Sequence, residues 1–501
     1  MKKSLFIFLM IAVAVIFTNA SKAYAQSDST HETKIESAED IHAVDTEQNH
    51  EVTAEGHHHA APGWSVIPFV LLLLMIATGP LFYEHFWHKN YPKVAVILAV
   101  LVVGYYIFAL DNLHSPIHSL FEYIPFISLL SALFIASGGI AIHVDKKSTA
   151  GVNATILLVG AVIANIIGTT GASMLLIRPF IRLNKHRIRA YHIVFFIFVI
   201  SNVGGSLTPI GDPPLFLGFL KGVPFFWTLT HNVLPWMVAS MLLVAFFYFL
   251  DRKMASKAPD EKGKTYTGKI TITGQKNFLW LGVVIIAVFI DPNVFSWVPS
   301  IPYEGAKISF IKEIIWISVA YFSYTTASKK ALETNEFSFE PIKEVAYIFI
   351  GIFATMMPAI ELVGAFAASP DGAKYITHNT LYWGTGALSG VLDNAPTYIN
   401  FLTAGMASKG ADIAVISDVV NFSKGLFPDS ILDLKAISIA SVFFGAMTYI
   451  GNGPNFMVKS IAEEVGIKMP SFFGYIIRYS LPVLLPILFI VWLIFFAFVS
   501  P

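Results

Sequence analysis

The 501-residue sequence contains no cysteine, which excludes disulfides, iron–sulfur clusters, cysteine zinc sites and thiol catalysis. It also has few charged residues, because Asp, Glu, Lys and Arg make up only 13% of the chain. The formal net charge is zero, which says nothing about partners, because in a membrane protein the distribution of Lys and Arg matters more than their sum. No nucleic-acid partner is expected. Hydrophobic residues make up 55% of the chain and include 43 Phe, a composition typical of a polytopic membrane protein in a lipid bilayer.

Residues 1–25 have the pattern of a signal peptide. Lys2 and Lys3 precede an apolar run, and the segment ends in the small-residue pattern Ala23-Tyr24-Ala25. The alternative is a first membrane helix. Cleavage would leave the new N-terminus in the periplasm of a bacterium.

Residues 26–62 are expected to form a disordered periplasmic tail. They contain nine acidic residues, six His and one Lys, with almost no large apolar residue. The His57–His59 run could bind a transition metal, but a solvated His-rich tail is the simpler interpretation.

Apolar runs long enough to cross about 30 Å of hydrocarbon predict ten membrane-spanning segments. They lie near residues 65–87, 94–111, 123–143, 191–215, 225–250, 278–297, 308–327, 343–368, 434–458 and 471–499. Two further apolar segments, 151–178 and 381–406, carry Gly, Asn, Thr or Pro at their middles. Irregular backbone is tolerated within a membrane only where protein or water covers it, so we interpret both segments as re-entrant hairpins. The predicted fold class is an all-α polytopic membrane protein.

The basic residues predict the orientation in the inner membrane. With a secreted N-terminus, the loops that should be cytoplasmic hold most of them: Lys89, Lys93, Lys146, Lys147, the cluster from Arg178 to Arg189, the segment from Arg252 to Lys276, Lys329, Lys330, Lys459 and Lys468. This agrees with the positive-inside rule if neither hairpin crosses the membrane. Both termini of the mature chain are then periplasmic.

Two stretches 240 residues apart are nearly the same. Gly205-Ser-Leu-Thr-Pro-Ile-Gly-Asp-Pro-Pro-Leu-Phe216 and Gly445-Ala-Met-Thr-Tyr-Ile-Gly-Asn-Gly-Pro-Asn-Phe456 are identical at six of twelve positions. Each interrupts an apolar run and predicts a broken membrane helix. The order of crossings, hairpin and broken helix is the same on both sides, which predicts inverted-topology repeats at 63–250 and 278–501, joined by a cytoplasmic linker at 251–277. The alternative is a chance similarity between Gly-rich helices.

The hairpin tips and helix breaks supply the candidate site residues. Asp212 and Asp393 are the strongest, because a carboxylate inside a membrane segment is costly unless it is paired, neutralised or hydrated. Burial favours the neutral acid and a bound cation favours the carboxylate, so such a group can exchange a proton for a metal ion. Capping of a half-helix is the alternative role for each Asp. The other candidates are polar residues nearby, for which interhelical packing is the alternative: Asn165, Thr169, Thr170, Asn202, Thr208, Asn394, Thr397, Thr448 and Asn452, with Glu361 as a secondary candidate.

The segments Asn202-Val-Gly-Gly-Ser-Leu-Thr-Pro-Ile-Gly-Asp212 and Leu392-Asp-Asn-Ala-Pro-Thr397 resemble those of the NhaD-type sodium/proton antiporters. These belong to an ion-transporter superfamily that includes citrate and arsenite carriers. The resemblance covers residues 63–501 and implies a homodimeric scaffold with an elevator-like transport domain. It also implies that Asn202, Thr208 and Asp212, with Asp393 and Asn394, bind Na⁺ and exchange protons.

The chain departs from that family after Asp212, where Pro213-Pro-Leu-Phe-Leu-Gly218 replaces the hydroxyl residues typical of the antiporters. Exchange of Na⁺ or Li⁺ for H⁺ is nevertheless the first hypothesis, because Asp212 and Asp393 would repel an anionic substrate unless they are protonated or hold sodium. No cofactor is expected beyond the transported ion. Sodium- or proton-coupled citrate or carboxylate transport is the alternative. An enzyme is not expected, because the Gly-x-Gly-Asp element of intramembrane aspartyl proteases would need Gly where this chain has Pro209.

Overall fold

The computed structural model describes residues 61–255, 266–292, 295, 297–303 and 306–499. The predicted signal peptide, most of the His-rich tail and the middle of the predicted linker lie outside the described residues.

The first half of the chain is helical apart from one short strand. Its elements are the 3₁₀ turn Gly63–Val66, α1 (Ile67–Phe82), α2 (Glu84–Ala109), α3 (His114–Gly138), β1 (Ala141–Val144), α4 (Ala150–Leu183), α5 (Ala190–Val199), the 3₁₀ turn Val203–Gly205, α6 (Pro213–Lys221) and α7 (Trp227–Ala255).

The second half repeats this order of long helices, with additional short elements. They are β2 (Ile270–Thr273), α8 (Lys276–Val288), β3 (Ile301–Tyr303), β4 (Ala306–Ile308), α9 (Ile311–Thr325), α10 (Lys329–Thr334), α11 (Glu340–Ala368), α12 (Pro370–Ala373), α13 (His378–Ser389), α14 (Asn394–Ala407), α15 (Ile416–Ser423), α16 (Ser430–Phe444), the 3₁₀ turn Gly445–Met447, α17 (Gly453–Glu464), α18 (Phe472–Tyr475), the π-helical stretch Ile476–Leu484 and α19 (Leu485–Phe495).

The predicted class, an all-α polytopic membrane protein, is confirmed. Within the described residues, eight helical segments are long and apolar enough to cross a membrane. Their lengths differ from prediction in places, since α2 begins at Glu84 and α3 at His114. Strand β1 pairs antiparallel with β2, a contact between the end of the third predicted crossing and the predicted linker that sequence periodicity did not indicate.

The segment predicted as the first re-entrant hairpin folds back on itself. A straight helix of 34 residues would be about 50 Å long. Instead, Asn153 in its first turn donates a hydrogen bond to the side chain of Asn184, just beyond its end, at 2.8 Å. The reversal occurs at Gly168, whose φ of 79° is open to glycine and strained for other residues. We call α4 the first hairpin, and α13 with α14 the second hairpin.

Both repeated stretches interrupt their helices in the same way. We call residues 200–212 the first break and 445–452 the second break. Thr208 Oγ1 accepts a hydrogen bond from the amide of Gly211, and Thr448 Oγ1 accepts one from the amide of Gly451, both at 3.2 Å. Asp212 and Asn452 then begin the next helix from extended backbone. The matching geometry supports the repeat, whereas its inverted orientation in the membrane stays a prediction.

Asp251 anchors the base of the first hairpin. The sequence suggested that this residue opens the linker, but it lies inside α7 and is fully buried. Its carboxylate accepts hydrogen bonds from Tyr191 at 2.6 Å and Asn153 at 2.9 Å, and it pairs with Arg187. Arg187, interpreted only as an orientation signal, therefore also joins α7 to the loop that follows the first hairpin.

Replacement of Gly168 by Ala should destabilise the protein, by about 1–3 kcal/mol, because it imposes a strained backbone conformation. The added Cβ would also lie 3.2 Å from the carbonyl oxygen of Ile210 in the first break. Thermal unfolding of the purified protein in detergent measures the effect. Gly104→Ala is the matched control, since its Cβ would meet no atom within 4 Å; equal midpoints for the two variants would contradict this account of the tip.

Candidate ion and substrate site

Asp212 lies at the centre of the candidate site. It ends the first break and is the N-cap of α6, where Pro213 supplies the first helical residue. Proline suits that position because its missing amide hydrogen would have no helical acceptor there. The Asp212 side chain is 1% exposed, so its carboxylate depends on protein partners rather than on water.

The partners of Asp212 come from three other segments. Thr169 at the tip of the first hairpin donates to Oδ1 at 2.6 Å. Asn452 at the end of the second break donates to the same oxygen at 3.0 Å, and Asn394 at the tip of the second hairpin donates to Oδ2 at 2.5 Å. The two hairpin tips and two breaks therefore meet at one carboxylate.

Asp393 lies beside this centre and faces a cavity. It is the N-cap of α14 and accepts a hydrogen bond from the amide of Ala395 at 3.0 Å. Its side chain is partly exposed and lines a cavity of about 770 Å³, together with Thr170 and Asn452. Capping and access to the cavity coexist at this residue.

Two buried amide oxygens in this region have no hydrogen-bond donor among the described residues. They are Oδ1 of Asn202 and Oδ1 of Asn394. Both side chains are fully buried. Carbonyl oxygens of this kind are the ligands that hard cations such as Na⁺ or Ca²⁺ accept. The residues present therefore fit a small cation.

Several other candidates within the hairpins and breaks form hydrogen bonds mainly with backbone groups. Asn165 donates to the carbonyl of Gly204 and accepts from the amide of Leu207, which joins the first hairpin to the first break. Thr208 donates to the carbonyl of Asn165 at 2.5 Å, and Thr397 donates to that of Asp393 at 2.9 Å.

Glu361 is not brought to this site. It accepts a hydrogen bond from the hydroxyl of Tyr106 at 2.9 Å and lines another cavity, of about 530 Å³. Glu122 and Lys221 face the same cavity and form an ion pair at 2.5 Å.

Asn455 is a buried residue that sequence reasoning missed. Its side chain donates to the carbonyls of Gly445 and Thr448 and accepts from Asn202. Asn455 lies inside the repeated phrase, opposite Leu215 of the first copy. The sequence signal for Asn455 is a polar residue at a position where the two copies differ.

Comparison with known proteins identifies the family to which the chain belongs. A family model described as "Putative citrate transport" matches residues 58–496. The chain belongs to this family. Among curated proteins, no match to the chain was found. The resemblance to the ion-transporter superfamily is consistent with this citrate transport family, and the assignment to its NhaD-type antiporters stays a hypothesis.

The cavity beside Asp393 has a volume of about 770 Å³, which is enough for a small carboxylate such as the substrate in the family description. Most of the ionisable side chains that line it are nevertheless acidic. The lining includes Asp393, Glu336, Glu340, Glu344 and Glu464, with His88 and Arg178 as its basic members. Arg178 is itself paired with Glu336 at 2.9 Å. Apart from Asp393, these residues lie near loops that the basic residues predict to be cytoplasmic.

The cavity should be open to the cytoplasm, and the absence of native cysteine allows a direct check. Ser460 lines the cavity, whereas Ser201 is fully buried. In everted vesicles, Ser460→Cys should react with a membrane-impermeant maleimide and Ser201→Cys should not. Labelling of Ser460→Cys only in right-side-out vesicles would reverse the assigned orientation.

Proposed function

We propose that the protein is a secondary transporter that exchanges Na⁺ or Li⁺ for H⁺ across the membrane. The observation that carries this proposal is the convergence of both hairpin tips and both breaks on Asp212. Neutral donors from Thr169, Asn394 and Asn452 surround a carboxylate that is almost entirely buried. Membership of a transport family supports the same class of function.

A buried carboxylate can couple the two ions by competition. Without a cation, burial favours the protonated acid, whereas a cation at the same oxygen favours the carboxylate. Only one of the two then occupies Asp212 at a time. If access alternates between the two sides, each cation carried one way returns a proton the other way.

Asp393 is suited to be the first contact from the cavity. Asp393 is partly exposed to the cavity. The next residue in the chain, Asn394, donates the hydrogen bond to the buried Asp212. Unpartnered oxygens of Asn202 and Asn394 would replace part of the hydration shell that an entering cation loses. The acidic lining of the cavity favours cations over anions at this entrance.

Sodium- or proton-coupled transport of citrate or another carboxylate is the second candidate. The family description and the cavity of about 770 Å³ favour it. An anionic substrate would, however, meet Asp393 and the acidic cavity lining, and like charges disfavour binding. It would need a bound cation or a proton at the aspartates first. For this reason we rank cation exchange higher.

Asp212→Asn and Asp393→Asn should each abolish sodium-dependent proton movement, because an amide cannot carry the exchanged proton. The measurement is a pH-indicator assay in everted vesicles, challenged in turn with sodium, lithium, potassium and citrate. Citrate-dependent proton movement without a cation response would favour the second candidate.

Asp371→Asn is the control for the loss of one carboxylate, since Asp371 is exposed and pairs with Lys374, three residues further along the chain. This variant should exchange ions as the unaltered protein does. Sodium-dependent exchange retained in both Asp212→Asn and Asp393→Asn would overturn the proposal.

Thr448→Ala should weaken sodium affinity more than turnover. The hydroxyl accepts from the amides of Ile450 and Gly451 and thereby shapes the second break without touching Asp212. Loss of these bonds should raise the half-saturating sodium concentration about two- to tenfold, in line with 0.5–1.5 kcal/mol for a hydrogen bond. An unchanged half-saturating concentration in the vesicle assay would argue against this role.

A further inference from the structure

We propose that Asn455 is a positioning residue that orients Asn202, so that the side-chain oxygen of Asn202 faces the ion. This inference rests on the proposed function, because it assigns a role at the same site. Asn455 itself would not touch the ion.

Asn455 stabilises the backbone of the second break. Its side-chain amide donates to the carbonyl of Gly445 at 2.8 Å and to that of Thr448 at 3.0 Å. These carbonyls belong to the first and fourth residues of the break, where helical hydrogen bonding is interrupted. Asn455 is fully buried, so no water replaces these bonds.

The remaining polar atom of Asn455 fixes the amide of Asn202. Nδ2 of Asn202 donates to Oδ1 of Asn455 at 2.7 Å and to the carbonyl of Ile197 at 2.8 Å. Both hydrogens of this amide group are thereby used, which fixes the plane of the amide. Oδ1 of Asn202 must then point away from Asn455.

Oδ1 of Asn202 lies on the side of the candidate site, next to Gly445 and close to Asn394. A Cβ atom built on Gly445 would lie 2.8 Å from this oxygen and 3.6 Å from Nδ2 of Asn394, the group that donates to Asp212. The oxygen is buried and has no donor among the described residues. An unsatisfied buried acceptor is costly, and a bound cation would remove that cost.

The repeat shows that this role belongs to one half of the molecule. Position 455 corresponds to Leu215 in the first copy, which cannot form these bonds. Asn455→Leu therefore places at the second break the residue that the first copy already carries, with a similar side-chain volume. It removes at once the three side-chain hydrogen bonds described above.

The test combines Asn455→Leu, Asn202→Ala and the double variant. Asn455→Leu should raise the half-saturating sodium concentration about tenfold, while the maximal exchange rate stays near that of the unaltered protein. Asn202→Ala should raise this concentration at least as much, because it removes the proposed ligand oxygen itself. Because Asn455 orients Asn202, the double variant should raise the half-saturating concentration by less than the product of the two single effects. The readouts are exchange in everted vesicles and thermal stabilisation of the purified protein by sodium chloride against choline chloride.

Asn277→Leu is the control for the loss of a buried Asn. Asn277 is fully buried and donates to the carbonyls of Ala136 at 3.0 Å and Ser323 at 3.3 Å, on helices outside the hairpins and breaks. It should lower the unfolding temperature without changing the half-saturating sodium concentration. If Asn455→Leu does not accumulate in the membrane, Asn455→Ser, which is too short to reach Asn202, should show the same rise.

The outcomes separate this inference from the proposed function. If the unaltered protein responds to sodium but the Asn455 variants keep its half-saturating concentration, or if the effects of the two single variants add, the inference is overturned alone. If the unaltered protein neither exchanges sodium nor is stabilised by it, the proposed function is overturned and this inference with it.

Discussion

A carboxylate cannot stay charged in the apolar interior of a membrane protein without partners, and the fold around Asp212 meets this constraint. Its hydrogen-bond donors lie on the first hairpin, the second hairpin and the second break, at Thr169, Asn394 and Asn452. No single half of the chain supplies them. Both halves must therefore be folded and packed together before the Asp212 carboxylate has all three hydrogen bonds. The candidate site is thus part of the interface between the two halves.

The duplicated phrase provides matching backbone and unequal side chains. In both breaks a Thr hydroxyl accepts from the amide of the second Gly, and a polar residue starts the next helix. That residue is Asp212 in one copy and Asn452 in the other. Two carboxylates in hydrogen-bond contact would repel each other, whereas an amide donates to the single carboxylate. The asymmetry of the copies thus gives a site with one central charge.

Sequence reasoning identified the parts of the site that interrupt apolar segments. Gly, Pro, Asn and Asp inside such segments are conspicuous, so the tip at Gly168 and the residues around Asp212 could be predicted. Contacts distant in the chain left no such signal, as with the pairing of β1 with β2 and the network at Asp251. Glu361 matched the same criterion of an intramembrane acid, but its helix places it in a different cavity.

The central claim is that a cation displaces the proton of Asp212. Proton release on addition of sodium chloride to the weakly buffered, detergent-solubilised protein tests it most directly, with choline chloride as the reference. The account predicts a release that saturates with sodium and disappears when Asp212 is replaced by Asn. Saturating release that persists unchanged in Asp212→Asn would contradict it.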